Sequence, residues 1–361
     1  MSDLQPKQSI LALAPYRQGQ SAIEGFPRPI KLSSNESSYG PSPAAIDAYQ
    51  NISGTLNRYP DGSQSAFRNA VAEVFALDSA RVMGGNGSDE LIQLLVRTYV
   101  NDGDEAVLSE NGFVMCNTHL TAAGADLKIA PESNYRIDVD EMLKRVTDKT
   151  RFCTIANPNN PTGTYLPDAE VRRLHAGLPK DCIFLIDGAY AEYVTRNDFS
   201  DGLSMVDEFD NVVVSRTLSK IYGLPGLRIG WMYSSQNVHD MVQRVRTPFN
   251  TNSAALAAGE AAIRDQDYIC DIRDKNAQWL ARISTTLTAL GIEVIPSVAN
   301  FYLLRFNSNK GKSGGDASDF LLSRNIIPRP AGGSDEFLRV TVGTAEENEA
   351  VLAALTEYMQ A

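Results

Sequence analysis

Positive charge is outnumbered in this chain. Lys and Arg number 33 against 44 Asp and Glu, a net charge of −11 at pH 7. Binding a nucleic-acid backbone needs a basic face, so this balance excludes nucleic acid as an expected partner. Long apolar runs are also missing: none approaches the roughly 18–20 residues of a membrane span. Cysteine is sparse. Cys116, Cys153, Cys182 and Cys270 show no CxxC spacing, which reads as free thiols of a reducing compartment rather than a disulfide frame. The three histidines, His119, His175 and His239, have no His or Cys neighbours at ligand spacing, which argues against a zinc site. The opening residues Met1-Ser-Asp-Leu-Gln-Pro-Lys-Gln8 hold no basic segment leading into an apolar core. A cytoplasmic enzyme is the expectation.

What is present is a 361-residue chain with 43% hydrophobic residues, enough for one large α/β domain with a satellite. Residues 1–45 read as an N-terminal arm that ends in a turn-rich stretch and contributes to a smaller domain. From 46 to 252, short β-branched runs alternate with helical patterns. Strands are expected at 106–109, 152–156, 183–186, 212–215 and 227–231, and helices at 88–100, 139–146 and 168–176. Such alternation implies a mostly parallel central sheet covered on both faces. The pattern changes across 253–361. A long Ala-rich helical stretch reaches about residue 290, strands follow near 292–296, 300–305 and 337–342, and a helix spans about 345–359. This is the pattern of a smaller α+β domain.

The densest chemistry lies in Ser215-Arg-Thr-Leu-Ser-Lys-Ile-Tyr-Gly-Leu-Pro-Gly-Leu-Arg-Ile-Gly230. A strand there runs into two hydroxyls, a lysine and, past a glycine-rich turn, an arginine. Hydroxyls and a guanidinium fork suit a phosphate. Lysine at the end of a buried strand is a poor structural residue, because desolvation disfavours its ammonium. The same desolvation frees a neutral amine for Schiff-base chemistry. Taken alone, Lys220 would read as a surface lysine. Its context says otherwise: Asn157-Pro-Asn-Asn-Pro-Thr-Gly163 and Asp187-Gly-Ala-Tyr190 each close a strand, where open parallel sheets bind ligands. Upstream, Gly84-Gly-Asn-Gly-Ser-Asp-Glu90 opens a helix whose free N–H groups and dipole suit an anion.

In this order, these motifs resemble the fold-type I aminotransferases that depend on pyridoxal 5′-phosphate (PLP). Within that family the chain most resembles the histidinol-phosphate group, from Leu13-Ala-Pro-Tyr16 and Asn35-Glu36 through Arg58-Tyr-Pro-Asp61 to Leu338-Arg-Val-Thr-Val-Gly-Thr344. The resemblance implies that Lys220 carries the cofactor aldehyde as a Schiff base and shuttles the substrate α-proton. Asp187 would pair with the ring nitrogen, Tyr190 and Asn160 with the ring hydroxyl, and Phe113 would stack on the ring. Arg228, Thr217, Ser219 and the amides of Ser88 and Asp89 would hold the phosphate, completed by Tyr59 from a second subunit of a homodimer. Arg339 would take the substrate carboxylate, with Tyr16 and Asn35 lining the same pocket. Arg329 would meet a substrate phosphate or the distal carboxylate of glutamate, and reads equally as a solvated arginine in a Pro-rich loop.

Three departures bear on the substrate. Gly188 stands where the family commonly has glutamate, Asn111-Gly-Phe113 where Pro-x-Tyr is usual, and Ser37-Ser-Tyr39 where an Asn-Pro-Phe type of stretch is expected. The implied reaction moves the amino group of L-histidinol phosphate to 2-oxoglutarate. An aromatic amino-acid aminotransferase and a PLP-dependent phospho-amino-acid decarboxylase stay open as alternatives, since both share the Lys, Asp, Tyr and Arg positions.

Overall fold

The computed structural model describes residues 4–16, 18–26, 28–307, 311–331 and 333–360. In chain order, β1 (Ile30–Lys31) precedes β2 (Val82–Gly85), β3 (Glu105–Ser109), β4 (Asp126–Ala130) and the hairpin strands β5 (Glu132–Ser133) and β6 (Arg136–Ile137). Next come β7 (Thr150–Ala156), β8 (Ile183–Asp187), β9 (Val212–Thr217) and β10 (Gly230–Ser234). The last third holds β11 (Glu293–Ile295), β12 (Phe301–Arg305), β13 (Ile326–Ile327), β14 (Arg329–Pro330) and β15 (Phe337–Thr341).

Seven strands form the central sheet in the order β2-β10-β9-β8-β7-β3-β4. Only β10 runs against its neighbours β2 and β9; the other pairs are parallel. Alternation along the strands assigns residues to two layers. Val213 and Leu185 join one core with the helix Gly87–Tyr99. Val212, Val214 and Ile186 join the other, with Val171 and Leu174 of the helix Asp168–Ala176. A third core lies between the four-stranded sheet β11-β12-β15-β14 and the helices Gln266–Ala289, Gly314–Ser323 and Ala345–Gln360. The N-terminal segment adds to this part, because β1 pairs in parallel with β13.

Two expectations need correction. The strand expected at 227–231 begins only at Gly230, because Pro225–Leu227 forms a 3-10 turn and Arg228 follows with φ +57. A left-handed residue cannot belong to an extended run. The single helix expected up to residue 290 is two, Ser253–Arg264 and Gln266–Ala289. The Asp265 side chain accepts from the amide of Tyr268 and so caps a new helix in mid-pattern. The carboxyl ends of β7, β8 and β9 lie side by side, and their last residues deliver the motifs to one place.

Candidate active site

A cavity of about 570 Å³ opens at these strand ends. Lys220 lies three residues past β9. Its Nζ donates to the Ser34 carbonyl at 3.1 Å and sits 5.7 Å from the centroid of the Tyr190 ring. Burial lowers its ammonium to about 8, and the Arg339 charge acts in the same direction. Asp187, the last residue of β8, is buried and accepts from Ser215 Oγ at 3.1 Å. These two residues are register partners on β8 and β9. Burial raises the Asp187 carboxyl to about 6, although the Ser215 hydroxyl, Arg216 and Lys220 pull the other way.

Tyr190 is buried, and its hydroxyl accepts from Asn35 Nδ2 at 2.9 Å; burial pushes the phenol above its ordinary value. Asn160 Oδ1 accepts from Arg339 Nη1 at 2.6 Å, and Arg339 Nη2 donates to the Ser33 carbonyl at 2.7 Å. Arg339 is 9% exposed, yet its Nε has no partner. A buried guanidinium with a donor to spare calls for an acceptor. Arg329 stands directly across from Arg339 in the β14–β15 register, and both line the cavity. Phe113 lines it from the start of the helix Val114–Ala123, and Tyr16 reaches it from the N-terminal segment.

At the other end the chain forms a cup. Thr217 closes β9, and Arg228 Nη1 lies 3.3 Å from Ser219 Oγ. Ser88 and Asp89 begin the helix Gly87–Tyr99, so their amides have no partner within it. Glycine makes the close approach possible. A Cβ on Gly87 (φ +76) would fall 2.7 Å from Arg228 Nη2, and one on Gly230 would fall 2.5 Å from the Ser88 nitrogen. Hydroxyls, a guanidinium and a helix start aimed at one point suit a multiply charged anion. The Asp89 carboxylate turns to His119 Nε2 at 2.9 Å.

The structure therefore brings together every expected site residue except Tyr59. That side chain is 82% exposed, outside the cavity, and stacked on Phe249 at 4.7 Å. Sequence reasoning missed the backbone carbonyls of Ser33 and Ser34, which carry no side-chain signal. It also missed Ser215, although a register with the last residue of β8 would have pointed to it. Glu36, another cavity residue, was read only as part of a motif. Gly188 has a packing reason, since a Cβ there would lie 3.0 Å from Nε of the buried Arg216.

Residues 27–355 match the family described as aminotransferase class I and II. A histidinol-phosphate aminotransferase of Paramagnetospirillum magneticum (strain ATCC 700264 / AMB-1) is 48% identical over 358 residues, covering 99% of each chain. Another, from Rhodopseudomonas palustris (strain HaA2), is 44% identical over 362 residues with the same coverage. A crystal structure of histidinol-phosphate aminotransferase from Sinorhizobium meliloti, in complex with pyridoxal-5′-phosphate, has a TM-score of 0.88 at 26% identity and covers 99% of this chain and 98% of that one. On the family match and on these full-length relatives, the chain belongs to the class I and II aminotransferases.

Proposed function

We propose that this chain uses PLP to transfer the amino group of L-histidinol phosphate to 2-oxoglutarate. The observation that carries the substrate reading is the cross-strand pair Arg329 and Arg339. Like charges directly opposite on a sheet repel. Two cavity-facing arginines in that register are best reconciled by anionic groups on the ligand, and both a phosphorylated amine and a dicarboxylic acid supply them.

The residues present fit the cofactor. The cup of Arg228, Thr217, Ser219 and the amides of Ser88 and Asp89 would hold its phosphate, and Phe113 would lie against its ring. Asp187, buried and partnered by a hydroxyl, would gain the cation it lacks by facing a protonated ring nitrogen. Tyr190 already accepts from Asn35, which leaves its own proton to donate. Asn160 spends its oxygen on Arg339, which leaves its amide N–H2 for a ring oxygen. When bound, PLP supplies an aldehyde that takes up amines covalently and a ring that receives the electron pair released at the substrate α-carbon.

Lys220 would hold the aldehyde and, once displaced by substrate, take the α-proton on Nζ and return it two atoms along, across the nitrogen, to the carbon that bore the aldehyde. A lysine lowered to about 8 has a useful neutral fraction near neutral pH. Arg339 would fix the carboxylate of glutamate or 2-oxoglutarate, with Tyr16 and Asn35 beside it. Arg329 would meet the donor phosphate or the distal carboxylate. We further read the exposed Tyr59 as reaching the phosphate cup of a second copy in a homodimer. The four unpaired cysteines support a cytoplasmic location.

The test is product balance. With L-histidinol phosphate and 2-oxoglutarate, one glutamate should appear per donor consumed, without carbon dioxide. Carbon dioxide released from a phospho-amino acid with no oxo-acid requirement would overturn the reading.

A further inference from the structure

Beside the cavity lies a carboxylate that the proposed chemistry does not use. Glu132 opens the hairpin β5–β6 and is partly buried. Its Oε1 accepts from Asn159 Nδ2 at 2.8 Å and its Oε2 from Asn111 Nδ2 at 3.2 Å. Asn159 is 1% exposed, and the same Nδ2 reaches the Asn111 carbonyl at 3.1 Å. That carbonyl also accepts from Ser109 Oγ. Asn111 stands two residues before Phe113, and Asn159 directly before Asn160. One carboxylate thus joins the loop that presents the aromatic ring to the loop that presents the amide.

The tip of the hairpin faces a third segment. Asn134 and Tyr135 have φ +50 and +62, both left-handed, as a two-residue hairpin turn requires. Asparagine tolerates this geometry, whereas tyrosine is strained by it. Contacts hold Tyr135 in place: its carbonyl accepts from Thr164 Oγ1 at 2.7 Å, and its ring meets Phe337 edge-on at 5.8 Å. Phe337 begins β15, two residues before Arg339.

A carboxylate suits the junction for a simple reason. Two amide donors approach from different loops, and an ionised carboxyl offers two acceptor oxygens and no donor. Glutamine would satisfy one loop and turn its own N–H2 on the other. The charge is held at a cost, because burial raises the Glu132 carboxyl and the nearby Glu110 raises it further, against the amide and hydroxyl donors of Asn111, Ser109 and Asn159.

We propose that Glu132 is a positioning residue that clamps the Phe113 and Asn160 loops into one unit, which the hairpin β5–β6 sets against the Arg339 strand. The clamp stands on its own contacts; its effect on PLP rests on the cofactor reading above. The test compares Glu132→Ala, Glu132→Gln and, as a control on the same hairpin, the exposed Ser133→Ala, all in the full chain with and without added PLP. In Glu132→Ala, amide hydrogen exchange should accelerate together in residues 110–113 and 157–163, by about ten-fold for the lost buried bonds. The PLP dissociation constant should rise by a similar factor, about ten-fold, and the visible circular dichroism of the bound cofactor should weaken. Glu132→Gln should fall between wild type and alanine, and Ser133→Ala should match wild type. In Glu132→Ala, exchange unchanged in both loops, faster in one loop alone, or faster throughout the chain would each overturn the clamp. If the alanine variant does not fold, Glu132→Gln decides, where exchange unchanged in both loops or faster throughout the chain would overturn it. If the wild type takes up no PLP while both loops still loosen together, the clamp stands and the cofactor reading falls.

Discussion

Burial moves Lys220 and Asp187 in opposite directions, and in each case toward neutrality. Lys220 falls from an ordinary 10.5 to about 8, and Asp187 rises from 3.8 to about 6. The sign of the lysine effect on stability follows. Between about 8 and 10.5 the unfolded chain keeps a proton that the folded, cofactor-free chain has released, so stability rises with pH across that window. Lys220→Met should therefore melt higher than wild type at pH 7 without cofactor, and the gain should fade as pH rises from 8 to 10.5. Thermal melts of cofactor-free protein at several pH values check this; a gain that does not vary with pH would contradict it. The two arginines separate by substrate. Arg329→Ala should raise KM for a phosphorylated donor about 100-fold more than for phenylalanine, as expected for losing a charge-assisted contact worth roughly 1.5–3 kcal/mol. Arg339→Ala should impair phenylalanine and 2-oxoglutarate, whose carboxylate it would fix, more than the phosphorylated donor, which has no carboxylate. The candidate residues were legible because their side chains announce their chemistry: an amine, a carboxylate and a guanidinium beside glycines and hydroxyls. The carbonyls of Ser33 and Ser34, which receive Arg339 and Lys220, were not, because a backbone acceptor is available at every residue.

Among the elements, the buried β-branched strands β7, β8 and β9 could be read from sequence, and two others could not. Strand β2 is Val82-Met-Gly-Gly85, half glycine, and β4 is the sheet-edge run Asp126-Leu-Lys-Ile-Ala130. Neither has the composition that marks a strand. The glycines of β2 nonetheless lead into the helix start at the cup. Gly87→Ala should have a modest effect on melting, since the helix keeps its packing, and should weaken PLP binding about ten-fold or more by displacing Arg228. A cofactor titration followed by absorbance checks this, and unaltered affinity would contradict the cup. The hairpin β5–β6 also escaped sequence reading. Its turn is Asn-Tyr rather than Asn-Gly, and only its contacts with Thr164 and Phe337 account for it.

In the whole molecule, the central sheet brings Asp187, Asn160 and Lys220 from three adjacent strand ends, while the four-stranded sheet adds Arg329 and Arg339 to the same cavity. One long motif order therefore sufficed to anticipate the architecture, although the pairing of β1 with β13 came only from the structure. Tyr59 belongs to the scale of the assembly. If it serves a neighbouring subunit, specific activity should fall on dilution in step with dissociation, and Tyr59→Ala should weaken PLP binding without lowering the melting temperature. Sedimentation beside activity across a dilution series measures this; an active monomer would contradict it. The central claim, a PLP aminotransferase built around Lys220 and selective for a phosphorylated amine, is met most directly by an amino-donor screen with 2-oxoglutarate as acceptor. The expected result is a kcat/KM for L-histidinol phosphate about 100-fold or more above those for phenylalanine and tyrosine, with no turnover by Lys220→Ala. Equal efficiency for phenylalanine and histidinol phosphate, or turnover that survives the loss of Lys220, would contradict it.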